Sequence, residues 1–476
     1  MLTSSRRSFL RTMAAASIAA PAIIAKSATN VRIQEVTYSY EDFLYRTPIK
    51  FGGNVVDRVT LLNVNCVVKG ANGKTVKGFG SMPLGNVWSF PSKELKYDAT
   101  LNAMKVLAER MSKIMGGYKE AGHPMDINHA IEPLWLKASE AVSAELKLAH
   151  PIPKLCALVT GSPFDAALND AYGKLHGRNI FDCYSAEFMN HDLSHFIGSQ
   201  FKGEYADRYV LKTPKPTMPL YHLVGAVDPL TQSDVVKPIG DGLPEHLAQW
   251  IEYSGLTHMK IKLNGEDNKW DSERVLAVDR VATEVQRKRG VTNWVYSLDF
   301  NEKCPNVGYL VEFLKNVKQK APSAFDRIQY VEQPTKRDLQ SDRANVMHEA
   351  SKIRPVVIDE SLTGQDALML CREMGYTGAA LKACKGQSQA VLMAAICQKY
   401  KMFLCVQDLT CPGASLIHSA SIAAHIPGVA AIEANSRQYV PAANKGWDAK
   451  FPGVFDVHNG KMNTAVLNGP GLGAVA

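Results

Sequence analysis

Apolar and polar residues alternate along the first part of the chain, from Val31 to about Pro91. A period of two residues is typical of β-strands that are buried on one face. The clearest strand spans residues 59–68, and the turn Asn72-Gly73 connects it to a second strand from Thr75 to Gly80. The sequence therefore predicts a β-hairpin at this point.

The spacing of the apolar residues changes twice in the rest of the chain. From residue 93 to about 148 they recur at helical spacing, so residues 29–152 are predicted to form an α+β domain. Beyond it, short apolar runs alternate with amphipathic segments, at 220–224, 258–261, 295–298, 328–331, 356–358, 379–381, 402–406 and 430–432. Eight such runs predict an α/β fold, a parallel β/α barrel over residues 153–434.

Two segments follow neither pattern. Residues 186–216 have no periodicity, and we interpret them as an insertion. Residues 435–476 are rich in Gly, Pro and Asn, and we expect this C-terminal segment to return to the first domain.

The first 28 residues have the composition of an export signal. Arg6-Arg7 precede Phe9-Leu10, and an Ala-rich apolar run follows from Met13 to Ala25. A charged start, a short apolar core and small residues at its end are typical of a secretory signal peptide. The paired arginines resemble a twin-arginine signal. We therefore expect an exported, periplasmic protein with no membrane span after signal removal; the alternative is a basic tail that stays on the protein.

Composition and charge exclude several other classes of protein. Hydrophobic residues make up 46% of the chain and charged residues 21%, as in a soluble globular protein. The net charge is +8, but four of the positive charges lie in the leader, which leaves +4 for the rest. Because a nucleic-acid surface needs basic residues gathered on one face, we expect no nucleic-acid partner. Nine cysteines without a CxxC pair indicate neither a zinc site nor a disulfide framework, and we expect them to be buried.

Charged side chains follow five consecutive predicted barrel strands. In chain order they are lysine, acid, acid, acid and lysine: Lys262 (with Lys260), Asp299, Glu332, Asp359 and Lys382. Barrel enzymes keep their sites at these strand ends. Three carboxylates in one barrel mouth need a compensating cation, and oxygen ligands favour Mg²⁺, with Mn²⁺ possible, over zinc. The sequence thus predicts a metal site at Asp299, Glu332 and Asp359.

The two lysines flank this triad from opposite sides. A metal and a second ammonium depress the pKa of a buried lysine towards neutrality, so Lys262 and Lys382 are candidates for base and acid. A metal with open positions can also bind a substrate carboxylate, which favours removal of the proton alpha to it. Taken singly, a strand-end acid is more often a helix cap or an ion pair, and a lysine is usually solvated. The order of all five favours a catalytic site.

The strand-end motifs identify the chain as similar to a known family. They are KIK at 260–262, DFN at 299–301, VEQP at 331–334, DES at 359–361 and LKACK at 381–385. They resemble the motifs of the enolase superfamily, and more narrowly of the muconate-lactonizing-enzyme-like subgroup within its mandelate racemase/muconate lactonizing enzyme family. A lysine or histidine base with Mg²⁺ is the known chemistry of that superfamily. The resemblance implies a modified TIM (β/α)7β barrel with an N-terminal α+β capping domain, and a homo-oligomer.

The same resemblance implies individual roles. Lys262 and Lys382 would be the acid/base catalysts, and Asp299, Glu332 and Asp359 the metal ligands, with Glu360 a less favoured third ligand. Substrate-binding roles are implied for Lys260, Asn301, Glu433 and, on a substrate-covering loop at 46–53, Lys50. Gly78-Phe79-Gly80-Ser81 departs from the family's Gly-x-Gly-Glu. Glu433-Ala434-Asn435 departs from the Asp-x-Asp of dipeptide epimerases and disfavours a dipeptide substrate.

The sequence does not distinguish between several related reactions. Lysines on both faces favour a racemase or epimerase acting on a small-molecule carboxylate. A dehydratase or cycloisomerase uses the same residues with one lysine as spectator. A non-catalytic metal- or ligand-binding barrel is the alternative from another class. The His-Asp dyad of mandelate-racemase-like relatives is disfavoured, because Lys382 occupies strand six while His418 and His425 follow too late.

Overall fold

An antiparallel sheet forms the N-terminal layer of the computed structural model, which describes residues 28–51 and 54–473. Its strands β1 Val31–Phe51, β2 Asn54–Gly70 and β3 Thr75–Pro83 lie in the order β1-β2-β3. The predicted hairpin is β2 and β3. The predicted leader, residues 1–28, lies outside the described residues except for Ala28.

Four helices follow this sheet: α1 Asn86–Ser89, α2 Tyr97–Gly117, α3 Pro124–Glu145 and α4 Lys154–His176. Helix α4 packs so closely on β3 that only glycine fits there. A Cβ added at Gly80 would lie 2.1 Å from the carbonyl oxygen of Pro163, and one at Gly78 would lie 2.2 Å from that of Ala167. The two glycines of this Gly-x-Gly motif therefore allow the backbone of β3 to contact the backbone of α4. Helix α4, predicted as the start of the barrel, packs on the capping sheet.

Eight parallel strands form a closed barrel after this cap. They are β4 Thr217–Val224, β5 His258–Lys262, β6 Val295–Asp299, β7 Ile328–Glu332, β8 Val356–Ile358, β9 Gly378–Leu381, β10 Phe403–Val406 and β11 Val429–Glu433. Pairing of β11 with β4 closes the ring. All eight predicted runs are strands, and the predicted fold, a barrel with an α+β cap, is confirmed.

Helices surround the barrel or connect its strands. They are α5 Ser194–Ile197, α6 Leu247–Ser254, α7 Asn268–Arg289, α8 Val307–Lys320, α9 Pro322–Asp326, α10 His348–Ile353, α11 Gln365–Glu373, α12 Gln387–Lys399, α13 Ala414–His425 and α14 Ser436–Tyr439. Helix α7 shows how the sequence sets their ends: the Asp267 side chain caps its first turn, and Gly290 ends it at φ 70°. In the described part of the chain, no helix is long and apolar enough to cross a membrane.

The predicted insertion at 186–216 consists of short helical turns and loops. The C-terminal segment touches both domains. Val440 and Ala443 pack on Val59 and Leu61 of the capping strand β2, whereas β12 Lys461–Asn463 pairs antiparallel with barrel strand β4. The nine cysteines are all buried and unpaired.

Candidate active site

The strand register of the barrel gathers the predicted acids and lysines. Lys262 on β5 pairs with Asp299 on β6, and Asp299 pairs with Glu332 on β7. Residues paired in register point to the same face of a sheet. The side chains of Lys262, Asp299, Asp359 and Lys382 therefore line one pocket at the carboxyl ends of the strands.

Lys260 lies at the centre of this group. Its Nζ lies 2.8 Å from Glu332 Oε1, 3.0 Å from Asp299 Oδ2 and 3.0 Å from Glu433 Oε2. It also donates to Gln407 Oε1 at 2.8 Å. Burial alone lowers the pKa of Lys260, but these carboxylates raise it well above its ordinary value. Lys260 is thus a fixed cation.

Lys262 and Lys382 face each other across the pocket. Their strands, β5 and β9, are four positions apart in the eight-stranded ring. Lys262 Nζ lies 2.5 Å from Asp299 Oδ2 and donates to Asn301 Oδ1 at 2.9 Å. Lys382 Nζ lies 3.0 Å from Asp359 Oδ2 and donates to the backbone carbonyl of Asp408 at 3.0 Å. The two side-chain nitrogens thus reach the same space from opposite sides.

The Asp359 carboxylate dominates the electrostatics of Lys382. Burial lowers its pKa, but the Asp359 carboxylate more than offsets burial and raises the pKa above its ordinary value. The expected depression of this pKa towards neutrality rested on a metal beside the lysine, and it stays a prediction. One turn later, burial lowers the pKa of Lys385, which donates to the Asp359 backbone carbonyl at 2.5 Å.

The three predicted metal ligands are held by lysines. Lys260 and Lys262 offset the effect of burial on Asp299 and lower its pKa, and Lys382 and Lys385 do the same for Asp359. Burial raises the pKa of Glu332, whose Oε2 is buried without a hydrogen-bond partner. Within residues 28–51 and 54–473, no three His, Cys, Asp or Glu side chains converge as metal ligands. The donor set nevertheless fits a hard divalent cation, because it offers three carboxylates and one free oxygen.

Glu360 points towards the capping domain. Its Oε1 accepts from Trp88 Nε1 at 2.9 Å and from Asn301 Nδ2 at 3.3 Å, while its Oε2 has no hydrogen-bond partner. Burial, helped by the neighbouring Asp359, raises the pKa of Glu360 to about 7. Asp359, whose side chain is ionised and bound by lysines, remains the better candidate for the third ligand.

The backbone is strained where two of these strands end. Asn301 and Gln333 have φ of 44° and 31°, in a region that non-glycine residues rarely adopt. Hydrogen bonds of the Gln333 side chain hold its backbone in this conformation. Its Oε1 accepts from the backbone N–H groups of Asp359 and Ser361 at 3.0 and 3.2 Å. Gln333 thereby fixes the turn that carries Asp359.

Of the predicted substrate-binding residues, Lys260, Asn301 and Glu433 line the pocket and Lys50 does not. Lys50 is exposed on the hairpin formed by β1 and β2. Its neighbour Ile49 points inward and packs on Leu223 and Tyr439. Successive residues of a strand face opposite sides, so Lys50 points away from the lysine pocket. The role predicted for Lys50 therefore has no support from the lining of the lysine pocket.

Several residues of the site were missed from the sequence, among them Trp88, Gln407 and Asp408. Gln407 and Asp408 follow the apolar run 402–406 and could have been found as strand-end residues. Asp408 receives the backbone N–H groups of Cys411 and Asn435 at 2.8 and 2.7 Å, and burial raises its pKa to about 6. Trp88 comes from the capping domain, and no sequence signal connects it with the barrel.

Known proteins resemble the chain in sequence and fold. Residues 242–476 match the family model described as enolase C-terminal domain-like. No curated protein matches the chain. One similar structure is muconate lactonizing enzyme from Pseudomonas fluorescens, in complex with muconolactone, at 17% identity, 93% coverage of this chain, 96% of that chain and a TM-score of 0.60.

Two further solved structures are similar over comparable lengths. N-succinyl Arg/Lys racemase from Bacillus cereus has 15% identity, covers 93% of this chain and 95% of its own, and has a TM-score of 0.61. L-Ala-D/L-Glu epimerase from Bacillus subtilis has 15% identity, 94% and 99% coverage and a TM-score of 0.59. At these identities the likeness establishes the fold. Through the family match, residues 242–476 belong to the enolase C-terminal domain-like family.

Proposed function

We propose that this protein removes the proton alpha to the carboxylate of a small molecule and returns it to the opposite face, as a racemase or epimerase. The carrying observation is the placement of Lys262 and Lys382 on opposite strands of one pocket. A carbon held between two such groups can lose a proton to one and receive a proton from the other.

The residues of the pocket have different roles in this reaction. Lys260 is a fixed cation that attracts the substrate carboxylate. The lysine that takes the proton must be neutral, whereas the one that returns it must be an ammonium. Lys382, whose pKa is raised by Asp359, supports the donor role as it stands. Asn301 accepts from Lys262 and so fixes the direction of its Nζ.

Asp299, Glu332 and Asp359 would hold Mg²⁺, or Mn²⁺, which when bound supplies positive charge beside the carboxylate where negative charge develops. The residues around them orient this set. Gln333 fixes the backbone of Asp359, and the Asn301 N–H donates to Asp299 Oδ1 at 2.8 Å. Such outer contacts keep the carboxylates in place before substrate arrives.

A reaction that uses one lysine is the second candidate, namely β-elimination or cycloisomerisation. The unequal surroundings of the two lysines favour it. Lys382 lies against the Trp88 ring, with its Nζ 4.2 Å from the ring centroid, whereas Lys262 lies between two polar side chains. In such a reaction the second lysine would act only as a charge.

Solvent exchange tests the proposal. The mature protein, with Mg²⁺ and with chelator, is incubated in D₂O with a panel of chiral N-acylamino acids, hydroxy acids and sugar acids, and exchange is followed by NMR. Metal-dependent exchange with inversion supports the racemase. Exchange with loss of water or ring closure supports the second candidate. Metal binding without exchange on any acid would contradict both and support a binding barrel.

We also propose that the chain is exported through its Arg6-Arg7 leader, whose residues lie outside the described structure. Cell fractionation of the full chain and of a variant with both arginines changed to lysine tests this. Unchanged export of the variant would contradict a twin-arginine route.

A further inference from the structure

One arginine near the lysine pocket contacts the capping domain and the barrel at once. Arg337 lies in the loop between β7 and α10, and it is not among the described residues that line the pocket. Its Nη1 donates to the backbone carbonyl of Trp88 at 3.0 Å. Its Nε and Nη2 donate to the Glu302 carboxylate at 2.8 and 2.5 Å. Arg337 therefore connects helix α1 of the cap with the ends of strands β6 and β7.

Glu302 belongs to the strained turn that follows β6. Asn301 and Glu302 have φ of 44° and 69°, so two successive non-glycine residues lie in the left-handed region. Such a backbone persists only where surrounding contacts hold it. The Glu302 N–H donates to the Gln333 carbonyl at 2.9 Å, and the Glu302 carboxylate also accepts from the Arg337 N–H at 2.7 Å. Arg337 thus holds this turn through its backbone and through its side chain.

The same turn carries the residue that directs Lys262. Asn301 Oδ1 accepts from Lys262 Nζ at 2.9 Å, and Asn301 Nδ2 donates to Glu360 Oε1 at 3.3 Å. Because Asn301 precedes Glu302 in the turn, the contacts of Glu302 also fix the position of Asn301. Arg337 is therefore linked to Lys262 through Glu302 and Asn301.

A second link connects Arg337 with Lys382 through the cap. The Trp88 ring lies over Lys382, and the Trp88 Nε1 donates to Glu360 Oε1 at 2.9 Å, the oxygen that also accepts from Asn301. The Trp88 carbonyl lies in the last turn of α1, where carbonyl groups have no partner within the helix. Arg337 supplies that partner and so holds Trp88 against the barrel.

We propose that Arg337 is a positioning residue for both catalytic lysines. It holds the turn that directs Lys262 and the tryptophan that covers Lys382, so both nitrogens keep their places on opposite sides of one carbon. The inference rests on the proposed function, because it concerns two lysines that act on the same substrate carbon. An arginine that only joined the two domains would stabilise the fold, whereas the loss of a positioning residue slows proton transfer at both lysines.

Proton exchange in D₂O by Arg337→Ala tests this inference. For each enantiomer of an accepted substrate, kcat for exchange should fall at least about tenfold, because a misplacement of about 1 Å can cost on the order of a hundredfold in rate. Both enantiomers should be affected, since the arginine supports both lysines. An unchanged kcat for either enantiomer would overturn the inference. If Arg337→Ala does not fold, Arg337→Lys replaces it, since lysine keeps the charge but cannot bond both partners.

Arg343→Ala is the matched control. Arg343 lies in the same loop and forms an ion pair with Glu373 at 3.0 Å, with a side chain that is 48% exposed. This variant should keep kcat for both enantiomers, and melting temperatures measure the stability of each variant. An equal fall of kcat in the two arginine variants would assign the effect to the stability of the loop and overturn the inference.

Rescue by guanidinium separates positioning from a loss of stability. The Arg337 side chain is 23% exposed, so guanidinium ion at a non-denaturing concentration can reach its place in Arg337→Ala and restore kcat. Ammonium ion has the same charge but lacks the planar fork that bonds Glu302 and Trp88, and it should restore less. A variant that was only destabilised would lose more stability in guanidinium. No rescue, or equal rescue by ammonium, would overturn the inference.

The unchanged protein separates this inference from the proposed function. Exchange by the unchanged protein that persists undiminished in Arg337→Ala overturns the inference and leaves the function. If the unchanged protein exchanges no acid, the function is contradicted and the inference falls with it.

Discussion

The ring of Trp88 lies over the ammonium group of Lys382, with Nζ 4.2 Å from the ring centroid. Trp88 belongs to the capping domain and Lys382 to barrel strand end β9. The indole N–H of the same residue donates to Glu360 Oε1, and its backbone carbonyl accepts from Arg337 Nη1 at 3.0 Å. Trp88 of the cap is therefore bonded to the barrel through its side chain and through its backbone, and it lines the pocket.

Replacement of this ring should affect the reaction at Lys382. A cation–π contact contributes about 0.5–2 kcal/mol, so Trp88→Leu should lower kcat/KM on the order of tenfold. Trp88→Phe keeps a ring and loses only the hydrogen bond to Glu360, so its kcat/KM should fall less than that of Trp88→Leu. Steady-state kinetics measure both, with melting temperatures as the control for folding. Equal losses in the two variants would assign the effect to the Glu360 bond.

Metal binding should depend on Asp359 and not on Glu360. Asp359→Asn should weaken Mn²⁺ binding by at least about tenfold, because a neutral amide replaces a carboxylate on the metal. Glu360→Gln is the matched neighbour and should change affinity little, since the Glu360 side chain is held by Trp88 and Asn301. Electron paramagnetic resonance of free Mn²⁺ measures both affinities. The reverse order would make Glu360 the third ligand.

The buried Asp165 should make stability depend on pH. It accepts from the backbone N–H and the hydroxyl of Ser388, both at 2.8 Å, and from Asn169 and Asn128, so it joins α4 to α3 and α12. Burial nevertheless raises its pKa to about 6, above the value of about 3.9 for an unfolded aspartate. The folded state then binds the proton more tightly, and stability rises as the pH falls through about 6.

Asp165→Asn removes this titration and provides the control. The stability of the unchanged protein relative to the variant should increase between about pH 7 and pH 5. Melting temperatures of both proteins across that range measure the difference. A difference that is constant with pH would show that Asp165 does not titrate there.

The barrel could be predicted from sequence because its signals are local. Each strand is a short apolar run that ends in a charged or turn residue, as in Val356–Ile358 before Asp359. Parallel strands then bring these ends together without further information. The contact of Trp88 with Lys382 could not be predicted, because it depends on how the cap docks on the barrel.

The direction in which single side chains point could not be predicted from the sequence either. The register of β1 and β2 shifts between Leu44 and Ile49, and such an irregularity changes which residues face inward. Because of this register shift, Ile49 faces the barrel and Lys50 does not. Similarly, Leu134 fits the apolar spacing of α3 but is 47% exposed. Spacing alone does not fix the edge of a buried helix face.

The most direct test of the account measures exchange separately for the two enantiomers of an accepted substrate in D₂O, with Lys262→Ala and Lys382→Ala. If each lysine serves one face, each variant should lose exchange of one enantiomer and keep that of the other, while neither interconverts them. Melting temperatures show that both variants are folded. Exchange of both enantiomers that persists in both variants would contradict the two-lysine site.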